Sequence, residues 1–313
     1  MKLRKLGSSD IEVAPLAFGG NVFGWTVTEE EGFKLLDRFV ATGFNLIDTA
    51  DMYSNWVSGN KGGESETIIG KWLKKSGNRQ KVVLATKVGL EMGPGKKGLR
   101  KKYILEAVEN SLRRLQTDYI DLYQSHQDDP ETPLEETLSA YSDLIKAGKV
   151  RYIGASNYSK ERMQESIDVS KKYSLPHYVT LQPRYNLYDR EEYENEFAEF
   201  CVSHNIGVIS YYSLASGFLT GKYRSLDDLN QSQRGGGVKS YLDPKGMEIL
   251  RKLDIVSREH EATPAQVSLA WLMTRPGVVA PIASATTLAQ LDDIMKAGRL
   301  TLTAENLSLL SGE

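Results

Sequence analysis

Val82-Val83-Leu84-Ala85-Thr86-Lys87 is a short apolar run rich in β-branched residues that ends on a cation, and it is the third of eight such runs. Runs of this length, bounded by turn residues and separated by helix-period segments, read as buried strands of a parallel sheet. Working outward, residues 16–20 and 45–48 precede it, and residues 119–125, 150–155, 178–182, 207–211 and 278–282 follow. Helix starts fall between them. Thr28 with Glu31 and Thr287 with Gln290 have capping-box spacing, while Thr132-Pro133 and Thr263-Pro264 pair an N-cap with a proline at the first helical position. Eight strands alternating with helices predict an α/β chain of the (β/α)8 TIM barrel type, a single domain over residues 1–313.

A doubly wound sheet is the competing arrangement, and it should carry a glycine-rich turn after its first strand. Gly19-Gly20-Asn21-Val22-Phe23-Gly24 lacks the G-x-G-x-x-G spacing, and Gly217-Phe218-Leu219-Thr220-Gly221-Lys222 lacks that of a P-loop. Ahead of the first barrel strand, residues 3–6 and 11–14 flank Gly7-Ser8-Ser9-Asp10, which predicts a β-hairpin lying across one end of the barrel. Residues 213–243, after the seventh strand, form a loop too long for an idle connection, and we expect a mobile cover over the site.

The 313 residues carry 39 Lys and Arg against 41 Asp and Glu, a net charge of -2, which argues against nucleic acid or an anionic membrane as a partner held by bulk charge. The lone Cys201 has no internal disulfide partner and reads as a buried, inert thiol. The opening MKLRKLGSSD has no apolar core of a signal peptide, so a cytoplasmic protein is expected. Four scattered histidines with one cysteine offer no zinc-ligand spacing, and no metal is expected.

In a barrel the chemistry sits at the carboxyl ends of the strands. Three consecutive runs end on Asp48, Lys87 and His126, and Tyr53 follows the first of these after a short loop. A lysine buried at a strand end needs a counter-charge, which Asp48 on the adjacent strand can supply. Two such charges alone would read as a paired polar plug. Tyr53 changes that reading, because a cation beside a phenol favours its ionised form and moves a poor acid towards the working range. On this reading Lys87 tunes Tyr53 and Asp48 holds Lys87.

These residues carry a resemblance over essentially the whole length. Asn45-Leu46-Ile47-Asp48-Thr49-Ala50-Asp51-Met52-Tyr53, Gly63-Glu64-Ser65-Glu66, Thr86-Lys87, Asp118-Tyr119-Ile120-Asp121-Leu122-Tyr123, Gly148-Lys149-Val150-Arg151-Tyr152-Ile153-Gly154-Ala155-Ser156-Asn157 and Tyr212-Ser213-Leu214-Ala215-Ser216-Gly217 resemble the aldo-keto reductase superfamily in order and spacing. The last two stretches are similar to the bacterial branch that also contains the potassium-channel β subunits. The resemblance implies a catalytic tetrad of Asp48, Tyr53, Lys87 and His126 and reduction of a carbonyl without metal. Tyr53 would protonate the carbonyl oxygen, and His126 would orient it by a hydrogen bond. A Trp-Pro pair common after this histidine is replaced by Gln127-Asp128-Asp129 before Pro130.

The resemblance also implies a nicotinamide dinucleotide. Ser156, Asn157 and Gln182 would bond its carboxamide and Tyr211 would stack on the ring, although Ser156-Asn157 can also be read as a helix cap and Tyr211 as core. Ser213, Leu214, Ser216, Gly217 and Leu219 would meet the pyrophosphate, with Lys222 neutralising it. Ser284, Thr286, Thr287, Gln290 and Asp293 would meet the adenosine end. There the usual Lys or Arg is missing and Ile294 replaces an Asn, so NADP(H) is favoured through the family while NAD(H) stays possible. Trp25 and Trp56 are candidates for an apolar substrate wall. The function expected is reduction of an aldehyde, ketone or sugar-like carbonyl, or the reverse. The alternatives are a cofactor-binding, redox-sensing regulatory subunit with slow turnover and, third, a barrel hydrolase or isomerase without nucleotide.

Overall fold

The hairpin comes first. In the computed structural model, which describes residues 1–312, β1 (Arg4–Lys5) pairs antiparallel with β2 (Glu12–Val13). Its turn is seated directly on the barrel. Gly7 has φ +60°, and a Cβ there would lie 2.0 Å from the Val179 carbonyl oxygen and 2.7 Å from the Gly207 nitrogen, so only glycine fits. Leu6, Ile11 and Val13 are buried with Leu46, Val83, Ala85, Leu122 and Ile209, which closes the amino end of the barrel with an apolar plug.

Eight parallel strands follow in a curled sheet: β3 (Ala17–Gly19), β4 (Leu46–Asp48), β5 (Val83–Val88), β6 (Ile120–Ser125), β7 (Val150–Ser156), β8 (Thr180–Gln182), β9 (Gly207–Val208) and β10 (Ile282–Ala283). Neighbours in sequence are neighbours in the sheet, and β10 returns beside β3. The remaining seam is joined by backbone bonds. Val208 N–H donates to Gly277 O at 2.9 Å, Val279 N–H to Val208 O at 2.8 Å and Ile282 N–H to Ser210 O at 2.9 Å. The fold is thus of the (β/α)8 kind. The last strand is shorter and later than residues 278–282, in keeping with Pro281, which has no amide to give to a ladder.

The helices between and after the strands are α1 (Glu29–Ala41), α2 (Glu64–Ser76), α3 (Lys101–Leu115), α4 (Leu134–Lys146), α5 (Lys160–Tyr173), α6 (Ala198–Ser203), α7 (Pro244–Glu259), α8 (Pro264–Met273), α9 (Leu288–Met295) and α10 (Ala304–Ser311). The main apolar core lies between them and the outer face of the sheet. Thr28 and Glu31 form the reciprocal box at α1, and Thr263 caps α8 ahead of Pro264. Two start signals differ in detail. Pro133 is itself the cap residue of α4, while Thr132 donates its hydroxyl to Asp129 Oδ2 at 2.7 Å. Thr287 accepts from Gln290 N–H as expected, but Gln290 Oε1 receives the N–H and hydroxyl of Thr286, one residue before the cap.

Residues 213–243 are built rather than featureless. They hold 3-10 turns at Ala215–Thr220, Leu226–Gln231 and Gly235–Tyr241, and Phe218 stacks on Tyr241 with centroids 5.6 Å apart. Tyr241 donates to Asp189 Oδ2 at 2.8 Å, which ties the segment to the loop after β8. Cys201 is buried, and burial pushes its thiol up to about 12. No helix among the described residues is long and apolar enough to cross a membrane.

Candidate active site

Parallel register staggers the strand ends: Gly19 pairs with Asp48, Asp48 with Ala85, two residues before Lys87, and Lys87 with Gln124, two residues before His126. Lys87 Nζ donates to Asp48 Oδ2 at 2.6 Å, to the Thr49 carbonyl at 2.8 Å and to the Tyr53 hydroxyl at 3.0 Å. All three protons of the ammonium are used, so the charge is fixed in direction as well as place. Asp48 is held from the other side, where Oδ1 accepts Gln124 Nε2 at 3.1 Å and Gln182 Nε2 at 3.0 Å. Both charges of this pair are buried, and each is fully bonded, which is the condition under which a buried pair is tolerated.

A second buried carboxylate shows what the plug reading would look like. Asp121, on β6, pairs with Arg79 at 2.8 Å and Arg151 at 2.9 Å and accepts Leu84 N–H at 3.0 Å, with no phenol or imidazole attached. Asp48 and Lys87 differ from it because one donor of the lysine is spent on a tyrosine hydroxyl.

The His126 ring lies 5.9 Å from that of Tyr53, edge on. His126 is 8% exposed, and its Nδ1 has no hydrogen-bond partner among the described residues. Burial first, then the Lys87 charge, holds its imidazole well below the usual histidine range, so the ring is neutral at working pH. For Tyr53 the balance differs from the sequence expectation. Lys87 does favour the phenolate, but burial outweighs it and the hydroxyl is raised above the ordinary tyrosine value. Lys87 itself stays charged, because Asp48 and Tyr53 together overcome its burial.

Aromatic rings lead outward from Tyr53. Trp56 lies 5.9 Å from Tyr53, and Trp25 lies 5.8 Å from Trp56, both edge to face. The Arg234 guanidinium, from the long segment after β9, sits 5.3 Å over the Trp25 ring, so that segment reaches across to the wall. After His126, Asp128 pairs with Arg162 at 2.8 Å and Asp129 bonds Leu99 N–H and Thr132, which anchors the stretch standing where Trp-Pro was expected.

Ser156, Asn157, Gln182 and Tyr211 are brought together beside this cluster. Ser156 Oγ donates to Gln182 O at 2.9 Å, Asn157 Nδ2 to His126 O at 2.9 Å, and the Tyr211 hydroxyl to Asn157 Oδ1 at 2.8 Å. Asn157 adopts φ +54°, which turns its amide back across the strand ends. The helix-cap alternative for this pair falls away, because α5 is capped by Ser159. In the loop after β9, left-handed residues recur at Tyr212, Ala215, Ser216 and Gly217. Ser213 Oγ donates to Ser210 O, Leu214 O accepts two amides, and Leu219 is wholly buried. Lys222 is exposed with its ammonium beside Gly217, where a Cβ would lie 3.9 Å from Nζ.

The residues after β10 are occupied with one another. Ser284 Oγ bonds Gly19 O and Asn21 Oδ1, Thr286 and Thr287 bond Gln290, and Asp293 accepts Thr263 Oγ1 at 2.8 Å and Gln266 Nε2 at 2.6 Å. Sequence reasoning passed over Gln124 and Arg234. Gln124 stands two residues before His126 in a buried run, and that polar interruption is the signal that marks it. Among the described residues no group of three His, Cys, Asp or Glu is placed to hold a metal.

A barrel whose strand ends assemble a bonded aspartate, lysine and tyrosine beside a neutral histidine belongs to a known class. The chain belongs to the aldo/keto reductase family, whose model matches residues 15–312. It is 32% identical to the protein tas of Escherichia coli over 98% of this chain and 96% of that protein. It is 34% identical to the uncharacterized oxidoreductase YrpG of Bacillus subtilis, covering 99% and 95% of the two chains. It is also 33% identical to a probable voltage-gated potassium channel subunit beta of Arabidopsis thaliana, covering 95% and 91%.

Proposed function

We propose that this protein is an NAD(P)H-dependent oxidoreductase that reduces an aldehyde, a ketone or a sugar-like carbonyl to the alcohol, or runs the reverse, with Tyr53 as general acid and base. The observation that carries this reading is the Lys87 ammonium held at once by Asp48 and the Tyr53 hydroxyl. Lys87 offsets part of the cost of the phenolate that forms when Tyr53 gives up its proton. Asp48 fixes Lys87 in that position. His126, neutral and a donor through one ring nitrogen, orients the carbonyl oxygen towards Tyr53. Trp25 and Trp56 line the approach and exclude water from one side. The reading includes a small-molecule substrate and a cytoplasmic location.

The residues present fit a dinucleotide. The orphaned Nδ1 of His126, the unpartnered Nη2 of Arg234 and the exposed Lys222 are polar groups left for a further group, beside the cluster of Ser156, Asn157, Gln182 and Tyr211, whose side chains would exchange their present bonds for it. Ser156, Asn157 and Gln182 would hold the carboxamide, Tyr211 the ring, and the left-handed turn at Ser216 and Gly217 with Lys222 the pyrophosphate. When bound, the reduced dinucleotide supplies the hydride. NADP(H) is the favoured form through the family, with NAD(H) the alternative, since Ser284, Thr286, Thr287, Gln290 and Asp293 bring no cation to the adenosine end.

The relative named as a channel subunit supports the second reading, a regulatory subunit that binds cofactor and turns over slowly. Titration of tryptophan fluorescence with NADPH and NADH, followed by turnover on a panel of aldehydes and sugars, separates the two. Quenching with turnover supports the enzyme, quenching without turnover the regulatory reading, and no quenching by either nucleotide overturns both.

A further inference from the structure

The loop after β8 grips both ends of the long segment that follows β9. At the near end, Tyr211 N–H donates to Pro183 O at 2.9 Å, and Asn186 Nδ2 donates to the Tyr212 carbonyl at 2.9 Å. At the far end, the Tyr241 hydroxyl accepts Arg184 Nη2 and donates to Asp189 Oδ2 at 2.8 Å, while the Tyr188 hydroxyl donates to Asp243 Oδ2 at 2.8 Å. Asp189 joins the two ends. Its Oδ2 also accepts Asn186 Nδ2 at 2.9 Å and Arg184 Nε at 3.0 Å, and its amide donates to Asn186 Oδ1 at 2.9 Å.

These bonds are shielded. Asn186 is wholly buried and Tyr241 is 2% exposed, so breaking one of them leaves a buried polar group without its partner. Burial first, then Asp189, pushes the Tyr241 hydroxyl up to about 12, so it keeps the proton it donates. Tyr212 adopts φ +58°, a left-handed conformation unfavourable for a side chain of its size, and the Asn186 bond to its carbonyl helps to hold it there. Between the two held ends lie Ser216, Gly217 and Lys222, the residues assigned to the pyrophosphate.

We propose that Asp189 is a positioning residue for the dinucleotide, acting through Asn186 and Tyr241 to hold the segment closed over the site and so to set how long the cofactor stays bound. This rests on the reading of the protein as a dinucleotide binder. A closed cover lengthens residence in proportion to its closed population, so a weaker grip raises the dissociation rate and leaves the arrangement of Asp48, Tyr53 and Lys87 as it is.

Tyr241→Phe deletes one hydroxyl and keeps the ring that stacks on Phe218. Asp189→Ala removes the acceptor shared by Arg184, Asn186 and Tyr241. NADPH release, followed by recovery of tryptophan fluorescence, should be roughly three- to tenfold faster in Tyr241→Phe, as the loss of one hydrogen bond implies, and at least as fast in Asp189→Ala. Single-turnover reduction of an aldehyde by either variant preloaded with NADPH should match wild type. The double variant should gain less than the product of the two single effects, because both delete the same contact. Without nucleotide, trypsin should cut at Lys222, Arg224, Arg234 or Lys239 faster in both variants, since cleavage follows the open population. An unchanged release rate in variants that still bind NADPH, or single effects that multiply in the double variant, overturns the inference. So does a single-turnover rate that falls together with the faster release, which would mean that the whole site has loosened. Absence of quenching in wild type overturns the dinucleotide reading itself, and this inference with it.

Discussion

Lys87 Nζ stands 2.6 Å from Asp48 Oδ2, with neither side chain more than 2% exposed. Removing one member of such a pair leaves the other charge buried and alone. Asp48→Leu or Lys87→Met should each destabilise the protein by about 3–5 kcal/mol, while the double variant costs less than the sum. Urea unfolding of the three variants checks this, and strict additivity would show that the two charges do not depend on each other.

His126 is held in its neutral form, so its folded value lies below its unfolded one. The stability it contributes is complete above the unfolded value of roughly 6.5 and is lost as pH falls from there towards the folded value. His126→Gln should flatten the acid side of the melting-temperature profile. The rate of carbonyl reduction should likewise show no inflection near pH 6.5 in wild type; a clear one there, absent from the variant, would mean that the imidazole charges in the working range.

The edge-to-face series from Trp25 through Trp56 to Tyr53 predicts a substrate wall. Trp56→Ala should raise KM for aromatic aldehydes by roughly three- to tenfold, since such ring pairs contribute about 0.5–1.5 kcal/mol, and leave small aliphatic aldehydes nearly unaffected. Equal effects on both substrate sets would remove Trp56 from the wall.

Asn157 joins the His126 carbonyl to the Tyr211 hydroxyl. Asn157→Ala deletes both bonds and the proposed carboxamide contact, and should weaken dinucleotide affinity about tenfold, as the loss of one or two hydrogen bonds implies. Fluorescence titration reads it, and an unchanged affinity would take Asn157 out of the cofactor site.

Much of this was legible from residue order, because a parallel strand ends where its apolar run ends. Asp48, Lys87 and His126 could be placed on one face without coordinates, and the closeness of Tyr53 followed from a short loop. What could not be read was whatever depends on distant segments meeting. Gln124 and Gln182 converge on Asp48 from two strands, and nothing in either run marks them as partners. The balance at Tyr53 was misjudged for a related reason, since a neighbouring cation can be inferred from spacing but the depth of burial that outweighs it cannot. α9 starts after Thr287 as expected, but the reciprocal half of its box is lost because Thr286 takes the Gln290 side chain, and Thr132 does not cap α4 because Asp129 takes its hydroxyl.

The central claim is that Tyr53 delivers the proton in a site arranged by Lys87 and Asp48. Its most direct test is Tyr53→Phe, which removes one oxygen and leaves the cofactor residues in place. Single-turnover reduction of an aldehyde by the variant preloaded with NADPH should fall by about 100-fold or more while NADPH still quenches its tryptophan fluorescence. Reduction at the wild-type rate with binding retained would contradict the account.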